Sequence, residues 1–492
     1  MSETDSSAGC TGPRRYGKRT RLDSESAIIH HFALKSSFFM PLGVCRLNRR
    51  ILLLVMGLWV STGLTSCGGG YSVKKPPSGL TMRVLASQGT TATADFGGLV
   101  FINGQYDILA RVQELSAGTS PGLMAISPNR EIVAAFDSGS NSVYSANTAS
   151  ETSGNHVQLP GPTFSMAVPT ASGIAFAAVP SATVTGYSFL GAVDYLNLSS
   201  GSIVASIAVP NAQTVVANSD GTQVLTFSND SNSVTVLSPT LAVPPVDTSC
   251  LTNPPNAVCT IVPGFDRPVY AIINGTTAYI FNCGAECGGT QASIQTLDLG
   301  SFAVGTPLPV NGATWGFLSG SSLYVAGNGT PTGQPCASLP LAAPTAATYC
   351  GTLDIVNLNT MTDPYYNNPA VEIAMPDGYH WRMDMSVNGQ LFVGSKNCTN
   401  IGNVNNPVGE VRGCLAIYNT TNNTVIFPPD NGNVLGLQSF TTRNIEYVAE
   451  GGALRVYNTD NYLDVLLIND YVPEGTINVL GYVGDVKAID FF

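Results

Sequence analysis

Pro121-Gly-Leu-Met-Ala-Ile-Ser-Pro-Asn129 is followed by Ile132-Val-Ala-Ala-Phe136 and then by Ser140-Asn-Ser-Val-Tyr144. Each carries a short apolar run bounded by Gly, Pro, Asn or Ser, the pattern of a strand between turns. The same order returns at Ala212-Gln-Thr-Val-Val-Ala-Asn-Ser-Asp-Gly221, Gln223-Val-Leu-Thr-Phe227 and Ser231-Asn-Ser-Val-Thr-Val-Leu237. It returns again at Met383-Asp-Met-Ser-Val-Asn-Gly389, Gln390-Leu-Phe-Val-Gly394 and Leu415-Ala-Ile-Tyr-Asn419. A unit therefore holds an inner strand, a tight turn, a second strand, a loop and a third strand. Runs such as Ile203-Val-Ala-Ser-Ile-Ala-Val-Pro210 supply a fourth strand. No helical period fills a helix-sized window after Val60, so the chain reads as all-β.

Units of about 40–50 residues with four strands are the blades of a propeller. Boundaries fall near 81–118, 119–161, 162–211, 212–264, 265–312, 313–380, 381–432 and 433–481. The first unit lacks an inner strand, while Val486-Lys-Ala-Ile-Asp-Phe-Phe492 is a strand without a unit. The expected fold is a closed β-propeller over 81–492, with this C-terminal strand entering the first blade and removing an exposed sheet edge. At Ser127-Pro128-Asn129, Tyr324-Val325-Ala326-Gly327 and Ser231-Asn-Ser-Val-Thr-Val236 the chain resembles the YVTN-type β-propeller family. Single blades match that pattern loosely and carry long insertions. Seven blades are the commoner number in the family; the count of units here favours eight. The motif specifies architecture and brings no catalytic residues with it.

Ahead of the repeats, Arg49 and Arg50 precede the apolar run Ile51–Val60 and then Leu64-Thr65-Ser66-Cys67. Ten apolar residues suit a signal-peptide h-region and fall short of the about 18 that suggest a spanning helix, although an uncleaved anchor is the competing reading. The segment resembles the lipobox of a bacterial lipoprotein precursor. That resemblance implies a signal peptide over 40–66 and lipid on Cys67, and Gly68 after the Cys favours the outer membrane over the inner. Residues 67–80 read as a lipidated tether, and 1–39 as a polar extension that translation from Met40 would omit. The expected location is the cell envelope, with the membrane as a partner through the lipid.

Residues 67–492 hold twelve Lys and Arg against 28 Asp and Glu, a net charge near −16. This excludes nucleic acid as an expected partner, since phosphate contacts need cations. Eight Cys follow Cys67, an even number in an oxidising compartment. They fall in close pairs, which predicts Cys250–Cys259, Cys283–Cys287, Cys336–Cys350 and Cys398–Cys414 as disulfides. The Cys283–Cys287 spacing is a weak metal motif because no His lies near it.

The predicted inner strands are apolar or small, with charge only at Arg267, Arg382, Asp384, Lys487 and Asp490. A lactonase-like site needs several carboxylate or amide ligands around one cation, and no such cluster is visible in the sequence. His156 reads as a loop residue, and without a nucleophile elbow a catalytic triad has no frame. No catalytic residue, metal or cofactor is therefore expected. Asp137-Ser-Gly-Ser-Asn141 and Asn229-Asp-Ser-Asn232 read as turns rather than Ca²⁺ loops. The densest cluster is Asp377-Gly-Tyr-His-Trp-Arg-Met-Asp384. Tyr379, His380, Trp381, Arg382 and Asp384 make it a candidate recognition patch; the structural alternative packs Trp381 between blades and pairs Arg382 with Asp384. The expected function is a binding or interaction module for a protein, peptide or glycan, the alternative a propeller enzyme, a lactonase or lyase acting on a small substrate.

Overall fold

In the computed structural model, which describes residues 75–91, 97–170, 173–239, 248–249, 259–329, 351–398, 411–428, 432–459 and 475–490, the strands gather into eight antiparallel blades. The described residues contain no α-helix, only the 3-10 turns Gly284–Cys287 and Thr441–Arg443. The inner strands are Tyr482–Ala488 in blade 1, then Pro121–Ile126, Ser165–Ala167, Ala212–Ala217, Pro268–Asn274, Trp315–Ser319, Tyr379–Met385 and Val434–Phe440 in blades 2 to 8. Eight blades close the ring, as the unit count anticipates. One boundary moves, since Tyr379 and His380 open blade 7 instead of ending blade 6.

Strand alternation explains why the runs are apolar throughout. In Ile132–Asp137 of blade 2, Val133 and Ala135 pack against Leu85, Leu99 and Phe101 of blade 1. The intervening Ala134 and Phe136 pack against Ala175, Ala177 and Val179 of blade 3. Similar clusters join every adjacent pair round to blades 8 and 1, where Tyr447, Val456 and Ile477 meet Val84, Val483 and Val486. The core is thus divided among the blade-to-blade interfaces.

The hairpin from third to fourth strand repeats one device. Asn147, Asn197, Asp298, Asn357 and Asn419 each accept a backbone N–H two or three residues on, at 2.6–3.4 Å. The residue four positions later, Glu151, Gly201, Phe302, Met361 or Asn423, takes positive φ. The short polar side chain fixes the turn locally, so it tolerates varied residues at the left-handed position. Asp137 likewise accepts Ser120 N and Ser140 Oγ at 2.6 Å, so its carboxylate is occupied by the turn.

Two corrections of detail concern strands. The closing strand begins four residues before Val486, at Tyr482, and pairs Val84 with Ala488 and Gly89 with Tyr482. A Cβ at Gly484 would lie 2.7 Å from the Gly122 Cα, so its glycine lets this strand approach blade 2. Blade 3 carries a fifth strand, Thr248–Ser249, laid parallel to Ser202–Ala208 by the insertion of blade 4.

Beside the closing strand, Arg83 donates to Asp490 Oδ1 at 2.6 Å and to Glu151 Oε1 at 2.9 Å, and its backbone N–H reaches Asp490 Oδ2 at 2.7 Å. Blade 8 is tied to blade 1 by Arg443 on Asp107 at 2.7 Å. Cys283–Cys287 and Cys398–Cys414 are bonded. Cys398 ends the second strand of blade 7 and Cys414 lies in its third, so that bridge closes the intervening insertion. Cys259 is disulfide-bonded as well. Its expected partner Cys250 lies outside the described residues, as do Cys336, Cys350 and Cys67.

Candidate functional site

The inner strands enclose an axial cavity of about 1080 Å³. Its two walls differ in chemistry. Blades 2 to 4 contribute Leu123, Ala125, Met166, Thr214 and Val216, with Phe164 projecting at 63% exposure. Blades 5 to 7 and the closing strand contribute Arg267, Tyr270, Trp315, Tyr379, Trp381, Arg382, Lys396, Asp485 and Lys487. Four of the twelve cations beyond residue 66 therefore line one cavity of an acidic protein.

A β-bulge between His380 and Arg382 organises the cationic wall. Strict alternation would send Trp381 and Arg382 to opposite faces; the extra residue re-aims the strand, and both line the cavity. Tyr379 pairs with Lys396 on the second strand, which brings that lysine to the same end. Lys396 Nζ sits 3.1 Å from the Trp381 ring centroid and the Arg382 guanidinium carbon 4.2 Å from it. Arg382 also lies 5.7 Å from the Trp315 ring, which stacks on Tyr270 at 3.7 Å. These are cation–π contacts, each contributing about 0.5–2 kcal/mol according to exposure.

The cations differ in partners. Lys487 pairs with Asp485 at 2.9 Å, and Arg267 meets the exposed Asp230 at 3.6 Å. Arg382 donates only to carbonyls, Nε to Leu435 and Nη1 to Trp381, both at 2.9 Å. Among the described residues, neither Lys396 nor Arg382 meets a carboxylate, and the buried Trp381 Nε1 has no acceptor. Burial lowers the affinity of Arg382 for its proton, opposed by Asp485 and Tyr270. Burial and then Arg382 bring Lys396 down to about 8. Tyr270 is pushed up to about 12 by burial, against the pull of Arg382.

The remaining residues of the expected patch serve the frame. His380 is fully buried, its side chain kept neutral by burial with a value near about 4, and its carbonyl accepts Thr314 Oγ1 at 2.9 Å. It therefore stands behind the wall rather than on it. Asp384 does not pair with Arg382; its Oδ2 accepts Ser439 N of blade 8 at 2.7 Å. Asp485 makes the same blade-to-blade contact with Met124 N of blade 2 at 2.8 Å. His156 lies in the strand Thr152–Gln158 rather than in a loop, exposed and stacked on Tyr144 at 5.1 Å. The sequence reading missed Lys396.

No family model and no curated protein matches this sequence. Solved propellers match by shape. One is dihydro-heme d1 dehydrogenase NirN in complex with DHE, at 11% identity and a TM-score of 0.52, over 83% of this chain and 75% of that one. Another is the periplasmic gluconolactonase PpgL of Pseudomonas aeruginosa, at 13% identity and a TM-score of 0.41, over 83% and 99%. At these identities the likeness concerns the fold alone.

Proposed function

We propose that this protein is a cell-envelope lipoprotein, held in the outer membrane by lipid on Cys67, whose propeller binds a protein, peptide or glycan through its axial cavity. The observation that supports it is the cavity itself, which carries on the first two strands of blade 7 the cations Arg382 and Lys396 without a carboxylate partner among the described residues. Preformed cavities with a few convergent polar groups are where ligands bind. Recurrence of the YVTN-type blade pattern is consistent with this, because it supplies a scaffold and no chemistry. A lactonase- or lyase-like enzyme is the alternative. Such a site requires acidic ligands around a cation, and among the described residues no three His, Cys, Asp or Glu side chains converge.

The test is expression of the full chain in a bacterium given an alkyne-tagged fatty acid, beside Cys67→Ser, followed by metal analysis of the purified protein. Label on the wild type alone, in the outer-membrane fraction, and a metal-free protein support the reading. Equal labelling of both removes the anchor, and a stoichiometric divalent cation turns the assignment toward the enzyme.

A further inference from the structure

We infer that the cationic wall of the axial cavity is a carboxylate-recognition site, in which Arg382 and Lys396 hold an anion borne on a ring-shaped body. The inference rests on the axial cavity being a binding site and adds the chemistry of what it binds.

Two buried or half-buried cations held within 4.2 Å of one indole centroid repel each other, and neither has a carboxylate. An arrangement that raises the energy of the empty site is relieved by an anion that accepts from both. Arg382 spends Nε and Nη1 on backbone carbonyls, which fixes the guanidinium plane and leaves Nη2 to donate. Lys396 has three protons and the Trp381 ring beneath it. All the free capacity here is donor capacity, which selects an acceptor-only group. Asp485 acts on Arg382 through space, but its oxygens are taken by Met124 N, Val486 N and Lys487 Nζ. The ring-shaped body follows from the surrounding surface. Phe164 of blade 3 at 63% exposure and Tyr379 of blade 7 at 37% supply aromatic surface on opposite sides of the cavity, and Leu123, Ala125, Met166 and Val216 add aliphatic surface beside Phe164. Such faces stack on a sugar or an aromatic ring while the carboxylate meets the cations.

Trp315 and Trp381 are the only tryptophans after Trp59, which lies in the expected signal peptide, so intrinsic fluorescence reports on this site. The full-length protein is titrated with digalacturonate, benzoate, neutral digalactose and phosphate, and the titrations are repeated on Arg382→Gln and Lys396→Met. Saturable quenching by a carboxylate and not by digalactose is expected, with about tenfold or greater loss of affinity in each variant at an unchanged melting temperature. Digalacturonate and benzoate separate a sugar acid from an aromatic acid. Equal binding of digalactose, wild-type affinity in both variants, or no response to any probe would overturn the inference. The first two of these would leave the cavity a binding site for another ligand, whereas a divalent metal in the purified protein would remove the underlying reading instead. If Arg382→Gln does not fold, Lys396→Met at the strand margin carries the test alone.

Discussion

The seam of blade 1 and the mouth of the axial cavity both bury arginine, and they treat it oppositely. At the seam, Arg83 is enclosed by Asp490 and Glu151 at 2.6 and 2.9 Å, and these partners outweigh the effect of burial and raise its hold on its proton. At the mouth, Arg382 faces two indoles and a lysine, and burial lowers that hold. The first arrangement joins chain segments 407 residues apart and serves stability. The second holds its charge with rings and backbone carbonyls and no carboxylate, which leaves it open to an anion from outside. Paired and unpaired charge thus mark the structural and the receptive parts of one ring.

Deleting residues 482–492 should have the largest effect. It removes the buried Val483 and Val486, each contributing about 1.5–3 kcal/mol, the Asp485 contact to blade 2 and the anchor of Arg83, and it leaves Arg83–Gly89 as an open edge. The expected outcome is loss of the cooperative thermal transition. An unchanged melting curve would mean that the seam does not hold the ring.

Next comes a direct contrast between the two arginines. Arg83→Met leaves the nearly buried Glu151 and the partly exposed Asp490 without their cation and should cost about 3 kcal/mol in denaturant unfolding. Arg382→Met loses cation–π and carbonyl contacts but strands no charged partner, and should cost less, about 1–2 kcal/mol. Similar losses in both variants would erase the distinction between seam and mouth.

How far these regions were legible in the sequence follows from the same physics. The blades were legible because each middle strand is buried on both faces, which leaves uninterrupted apolar runs, and the closure because a terminal strand had no unit of its own. The mouth was half legible. Trp381 and Arg382 stood out as a dense cluster, but whether consecutive residues share a face depends on the bulge after His380, which no local pattern announces. His380 was misplaced for the same reason, being a buried neighbour of the exposed Tyr379. Lys396 reaches the site through cross-strand register, and Tyr270 and Trp315 through the convergence of inner strands, both set by the whole ring. The one available signal for Lys396 was its rarity, a lysine inside a strand of a chain poor in cations.

Buried carboxyls extend the contrast to pH. Glu286, Asp354 and Glu450 are each raised to about 7, chiefly by burial. A carboxyl with a higher value folded than unfolded binds more protons in the folded state between the two, so stability rises as pH falls through 7. His380, lowered to about 4, works the other way below its unfolded value of about 6.5. Each group is worth up to about 1.4 kcal/mol per pH unit, and three outweigh one. The melting temperature should therefore be higher at pH 5.5 than at pH 7.5, and Glu450→Gln should shrink the difference. A melting temperature that falls on acidification would show that these carboxyls are charged and paired, like those of the seam.

The smallest effect is the one most specific to the mouth. Lys396, facing Trp381 and Arg382, gives up its proton at about 8, whereas Tyr270, stacked on Trp315, stays neutral until about 12 and Arg382 keeps its charge. Affinity for a carboxylate should accordingly hold up to pH 7 and fall severalfold by pH 9 as one of the two cations is lost. Lys396→Arg keeps the charge at both pH values and should flatten the profile without abolishing binding, since arginine does not deprotonate in this range. The seam offers the control, because Arg83 holds its proton more tightly than an ordinary arginine. A decline in affinity that persists in Lys396→Arg would place the titrating group elsewhere and separate the anion site from Lys396.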